Sequence, residues 1–234
     1  MTEELINLKK KFAELVNRPR TDEETSELFK ISELMKLEWN KLEINLSTEL
    51  KEKEIFVDSS WDLVHTKKPY PEAIDTLIKH LGFDYHDTIK EGIIRSLIVK
   101  EARGKAASAL IKEYEKIPKE KDDFRWITGC AIGATMTKDN IDWLISALLD
   151  KSNGGSRSGM IIPLVNIKSK KAEEVLLQLL VEENPGFGVI LQAIEGLGKL
   201  KSQQAREKIS TFLNHQNKDY KNAAKKALLR IDKN

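Results

Sequence analysis

Residues 72–81 read EAIDTLIKHL, and four later segments fall under them in register: 105–114 KAASALIKEY, 139–148 DNIDWLISAL, 171–180 KAEEVLLQLL and 204–213 QAREKISTFL. Their central pairs are Leu77-Ile78, Leu110-Ile111, Leu144-Ile145, Leu176-Leu177 and Ile209-Ser210, so the register advances by 33, 34, 32 and 33 residues. An advance held four times marks a repeat architecture. In the first segment Ile74, Leu77, Ile78 and Leu81 recur three and four apart, which gathers them on one face of a helix. Each segment runs into a turn-forming stretch: 82–87 GFDYHD, 118–123 PKEKDD, 151–156 KSNGGS, 183–186 ENPG and 214–219 NHQNKD. Second helices are expected to begin near Thr88, Phe124, Arg157, Phe187 and Tyr220. Glycine and alanine crowd into them, as in 127–134 ITGCAIGA and 194–200 IEGLGKL, which predicts close approach between neighbouring units. A hairpin of this length cannot bury its apolar face alone, so stacking must supply the core.

Residues 1–66 precede the repeats and read as an N-terminal helical cap with a connecting segment. Residues 2–16 place Leu5, Leu8, Phe12, Leu15 and Val16 on one side of a helix that Pro19 ends. Thr21 is a candidate cap for a second helix whose first turn holds Asp22, Glu23 and Glu24, carboxylates suited to a positive helix N-terminus. That helix runs through Leu28, Ile31, Leu34 and Met35 toward Trp39. Residues 44–66 read as irregular, with an extended 54–57 and a short helix that Asp58 and Ser59 begin before 61–64 WDLV.

Hydrophobic residues make up 40% of the 234, ample for a packed core, and the formal net charge is only +2, so a global nucleic-acid signature is lacking. The charge is uneven: residues 199–234 hold ten Lys or Arg against three acids, and residues 1–66 hold fifteen acids against ten bases. The basic C-terminal helix, with Lys221, Lys225, Lys226 and Arg230 alternating with Ala223, Ala224, Ala227 and Leu228, reads as a solvated end cap, with phosphate binding the alternative. A single cysteine, Cys130, fits a reducing compartment and excludes an internal disulfide framework. The opening MTEELINLKKKFAEL lacks the apolar run of a signal peptide, and no stretch is long and uncharged enough to span a membrane, so the expected location is the cytoplasm.

Chemistry is sparse. The four histidines (His65, His80, His86 and His215) are scattered over different units, so no metal or other cofactor is expected, and His80 and His86 are read as surface or helix-end residues. Cys130, among Ile127, Ala131 and Ile132, is read as a small core residue. Residues 152–159, SNGGSRSG, lack the Lys-Ser/Thr of a phosphate loop and read as a tight inter-helix turn. Trp61 and Trp143 sit at apolar helical positions and are read as core. No residue is assigned a catalytic role.

A basic column at the start of the second helices reads Lys90, Arg125, Arg157, Val189 and Lys221, with acids Asp87, Asp122, Asp150 and Asp219 in the turns. Together with the repeat, this column resembles the HEAT family of α-solenoid repeats over residues 67–234, in which an Asp in the turn and an early Arg or Lys form a ladder between units. Val189 breaks the ladder in the fourth unit. The chain is also similar to a group of small bacterial HEAT-repeat proteins through 61–64 WDLV, 69–74 PYPEAI, 100–104 KEARG and 155–160 GSRSGM. The resemblance implies an all-α fold, an α-solenoid in which antiparallel helical hairpins wind into a right-handed superhelix, with 67–234 as five repeats packed as one continuous domain. It implies no activity: His-Glu dipeptides, by which the HEAT-type hydroxylases hold their iron pair, are absent.

The leading functional reading is a noncatalytic protein-binding module or adaptor using the concave face of the second helices, a monomer whose partner is another protein. Candidate partner-binding residues are Arg95, Arg103, Arg125, Trp126 and Arg157, since arginine beside an exposed aromatic is the composition of binding hot spots. For Arg125 and Arg157 the competing reading is the structural ladder. The alternative function is a DNA-binding enzyme resembling the HEAT-like alkylpurine DNA glycosylases, with Asp122 or Asp123 beside Trp126; HEAT-type chromophore lyases are a further relative that no residue here supports.

Overall fold

The computed structural model describes residues 1–168 and 170–233, which contain fourteen α-helices, five short 3-10 segments and no strand. They form two compact units, Met1–Ser96 and Leu97–Asn234. The fold class is the α-solenoid expected from the repeat.

In the first unit α1 (Glu3–Val16) packs against α2 (Asp22–Leu42). Thr21 caps α2 as its sequence context predicts: its hydroxyl accepts from Glu24 N at 3.2 Å, and the Glu24 carboxylate accepts from Thr21 N at 3.0 Å. Arg18 closes on the same carboxylate. Leu5 and Leu15 are buried, Leu8 and Phe12 half-buried, and Val16 lies exposed. The remaining helices are α3 (Ile44–Lys51), α4 (Ser60–His65), α5 (Ile74–Leu81) and α6 (Asp87–Ser96).

The α3 helix corrects the irregular reading of this stretch. Asn45, Ser47 and Thr48 are weak helix formers, but Leu46 and Leu50, four apart, are fully buried against the unit and hold the turns that propensity alone would not. Residues 54–57 form no strand. Ser59 begins α4 with Asp62, whose carboxylate accepts from Ser59 N at 3.1 Å. Gly92 lets α4 and α6 touch, since a Cβ there would stand 2.3 Å from Ser60 Oγ. Trp61 is half-buried, with its indole N–H donating to Thr88 O at 3.2 Å.

His80 and Glu43 are titratable groups sealed into this unit. His80 lies at the end of α5, as the helix-end reading has it, but is fully buried and not on the surface. Its Nδ1 lies 2.8 Å from Tyr85 Oη, its Nε2 lies 3.2 Å from Glu49 Oε1, and burial holds its pKa below the usual histidine value. Glu43, only 1% exposed, accepts from Ser60 N at 2.9 Å, and burial pushes its carboxyl up to about 7. The folded state therefore retains a proton that the unfolded chain releases, so stability falls as pH rises from the ordinary carboxylate range to about 7 and is lowest above it. Glu43→Gln is expected to raise stability at pH 8 by roughly 1–3 kcal/mol and to flatten that slope. Urea unfolding of both proteins between pH 5 and 8 checks this; parallel curves would contradict it.

The second unit repeats one hairpin: α7 (Ala107–Lys116) with α8 (Asp122–Thr135), α9 (Ile141–Leu149) with α10 (Ser158–Asn166), α11 (Lys170–Val181) with α12 (Phe187–Lys199), and α13 (Arg206–Thr211) with α14 (Lys218–Ile231). All four second helices start within two residues of the expected positions. They pack in a row, α8 on α10, α10 on α12, and α12 on α14. The row is parallel, for Gly129 faces Met160 and Gly133 faces Pro163. Small residues set the spacing: a Cβ on Gly198 would stand 2.6 Å from Ala227 Cα, and one on Gly196 2.7 Å from Val165 Cγ2. Residues 151–157 form the tight turn expected of them, with Gly154 at φ 54°, a conformation glycine adopts without strain.

Gly198→Val is accordingly expected to destabilise the fold by about 1–3 kcal/mol, because backbone and not a flexible side chain fills the space. Gly82→Ala, at ordinary helical φ and facing only Lys79 O at 3.3 Å, is the control and should change stability little. Thermal unfolding of the two variants provides the comparison.

Candidate functional site

The first turn of each second helix lies beside the last turn of its own first helix, where the final carbonyls have no intrahelical partner. Arg125 fills that position in α8. Its Nη1 donates to Tyr114 O at 2.9 Å and Ile117 O at 2.7 Å, its Nη2 donates to Asn153 Oδ1 in the following turn at 2.6 Å, and its guanidinium lies 3.9 Å from the centre of the Tyr114 ring. Arg157 repeats the arrangement one unit on. It donates to Leu148 O at 3.2 Å and to Gly154 O at 2.8 Å, and grips Glu182 in two bonds of 2.9 and 2.8 Å. The Arg157 hydrogen bond holds the Glu182 carboxyl below the usual carboxylate range. A positive charge at a helix C-terminus also opposes the helix dipole.

These arginines are 2% and 1% exposed, so both sit as rungs between units and not on an open face. At the fourth position Val189 is fully buried and supplies apolar packing instead. Asp122, one of the two carboxylates offered beside Trp126, joins the rungs by accepting from Ser156 N at 2.9 Å. Asp150 accepts from Ser152 N at 2.9 Å and caps its own turn. The residues that receive the arginines, Asn153 and Glu182, were missed by the sequence reading. They stand 28 and 25 residues after their arginines, so no fixed spacing marks them.

The other candidates separate. Arg95 belongs to the first unit, half-buried on α6, where it pairs with Glu91 and lies 5.9 Å from the Trp61 ring centre. Trp126 is 43% exposed on α8, and Ile162, on the adjacent α10, is 44% exposed. On α8 Cys130 is half-buried and not core, with Gly159 of α10 close against its sulfur. Toward the C-terminal ends of the same two helices opens a cavity of about 600 Å³, walled by Arg103, Lys138 and Asn166 over Met136, Ile141 and Pro163. Trp126 and Ile162 thus lie on one helix pair, whereas Arg103 stands before α7 and reaches that pair only at the cavity by its C-terminal ends. Trp143 is half-buried, its indole N–H donating to Glu115 at 3.0 Å. Among the described residues no group of three or more His, Cys, Asp or Glu could hold a metal ion, and no helix is long and apolar enough to cross a membrane.

Removing one partner of a buried ion pair strands the other charge, so Arg157→Met is expected to cost about 3–5 kcal/mol. Glu182→Met in the same chain should recover a large part of that loss. A double-mutant cycle by urea unfolding measures the coupling, and additive losses would remove the rung from the account.

A family model described as HEAT repeats matches residues 141–229, the stretch from α9 into α14. Among solved structures, a designed armadillo repeat protein aligns over 97% of this chain and 100% of its own, at 14% identity and a TM-score of 0.43. No curated protein matches the chain.

Proposed function

We propose that this chain, whose residues 141–229 match a model of HEAT repeats, is a noncatalytic protein-binding module or adaptor acting in the cytoplasm. The observation that carries the reading is the α8–α10 pair, where Trp126 and Ile162 stay 43% and 44% exposed, with a cavity walled by Arg103 toward the C-terminal ends of the same helices. Large apolar side chains held on rigid, close-packed helices keep their rotamers before a partner arrives, which lowers the entropy lost on association. Tryptophan and arginine are among the residues that dominate protein interfaces, and this face offers Trp126 at one end of α8 and Arg103 at the other. Arg125 and Arg157 support this surface from within and are not contacts. The grouping of residues 1–66 as a cap and 67–234 as five repeats, in a monomer, belongs to the same proposal.

A photo-crosslinking amino acid placed at position 126 or 162 should capture the same protein in living cells, whereas one placed at the exposed position 112 on α7 should not. Trp126→Ala is expected to weaken the captured complex by about 2 kcal/mol, read by titration with the purified partner. Capture of nucleic acid, or binding that falls steeply with salt, would overturn the reading.

A further inference from the structure

The cavity at the C-terminal ends of α8 and α10 joins two kinds of chemistry. Arg103, Lys138 and Asn166, all exposed, wall it with donors, while Met136, Ile141 and Pro163 make its surface apolar beneath. Backbone hydrogen bonds hold both cations at its mouth. Gly104 N donates to Thr135 O at 2.7 Å, which ties the segment carrying Arg103 to the end of α8. Thr137 N donates to Asn140 Oδ1 at 3.1 Å, which closes the turn carrying Lys138.

A cation at the C-terminal end of a helix ordinarily serves the orphan carbonyls there. Here backbone donors take several of them: Ile132 O accepts from Met136 N and Thr135 O from Gly104 N, and in α10 Leu164 O and Val165 O accept from Ile167 N and Lys168 N. The adjacent carboxylates are engaged as well, Glu101 with Lys100 at 3.7 Å and Asp139 with Thr137 Oγ1 at 3.2 Å. Neither Arg103 nor Lys138 pairs with a carboxylate among the described residues, and both are open to a ligand in the cavity.

We propose that this cavity, resting on the protein-binding reading above, takes the free C-terminus of the partner chain, ending in an apolar residue. At a chain end the carboxylate and the last side chain leave the same Cα, so one residue meets the cations and the apolar surface together. An acidic side chain inside a segment brings no apolar group of its own. The terminal carboxylate accepts from the Arg103 fork, with Lys138 and the Asn166 amide beside it. Trp126 lies seven residues before Gly133 on α8, roughly 10 Å along the axis, a span that an extended chain covers in about three residues. The partner residue three or four positions before its end is therefore apolar and packs on Trp126 and Ile162.

The test probes an array of short random peptides with free C-termini, and the same sequences amidated, with the labelled full chain. Retained sequences are expected to end on an apolar residue, to carry another three or four positions earlier, and to lose about tenfold in affinity on amidation. Arg103→Gln and Lys138→Gln, each checked for unchanged thermal unfolding, should lower affinity by a similar factor, and Lys112→Gln, exposed on α7, should not. Equal binding of acid and amide, a free-acid array that retains nothing, or wild-type affinity in Arg103→Gln overturns the proposal. The crosslink at position 126 separates it from the wider reading. A captured partner that binds as tightly after loss of its last residues overturns the carboxylate site alone, whereas absence of any capture removes the docking surface on which both rest.

Discussion

A helix that ends at a tight turn leaves carbonyl oxygens without partners, and in the second unit arginine side chains reach back to take them up. Arg125 binds carbonyls at and just past the end of α7 and Arg157 reaches one at the end of α9, while Arg125 also donates to Asn153 and Arg157 to Glu182 in the next turn. One residue thereby satisfies the end of its own hairpin and fixes the next hairpin against it. The recurrence of the sequence at about 33 residues reflects this geometry, because a rung joins successive turns only if the hairpins keep nearly equal length.

Once the turns are fixed, the second helices are forced together, and glycine and alanine are the side chains that fit. Gly133 against Pro163, Gly196 against Val165 and Gly198 against Ala227 leave no room for a Cβ without movement. Helices locked so closely offer a stiff outer surface, and the exposed Trp126 and Ile162 gain their meaning from that stiffness. The first unit also buries polar groups: Glu43 is shielded and pushed toward neutrality, and burial lowers the pKa of His80 beside Tyr85 and Glu49.

The sequence by itself determined the fold class, the period, the starts of the second helices, the Thr21 cap and the need for small residues in the second helices. Each follows from local spacing or from the chemistry of a few adjacent residues, which any chain carrying them must obey. Only the tertiary structure decided that α3 is helical, that His80 is sealed in, that Arg125 and Arg157 turn inward while Trp126 stays open, and that Asn153 and Glu182 receive the rungs. The physical reason is that an amphipathic pattern states which helix face is apolar but not which neighbour covers it. An arginine at a helix start can serve a carbonyl behind it or a partner in front of it with the same sequence. The choice is made by how far the adjoining turn lies from its guanidinium, and that distance exists only in the packed chain.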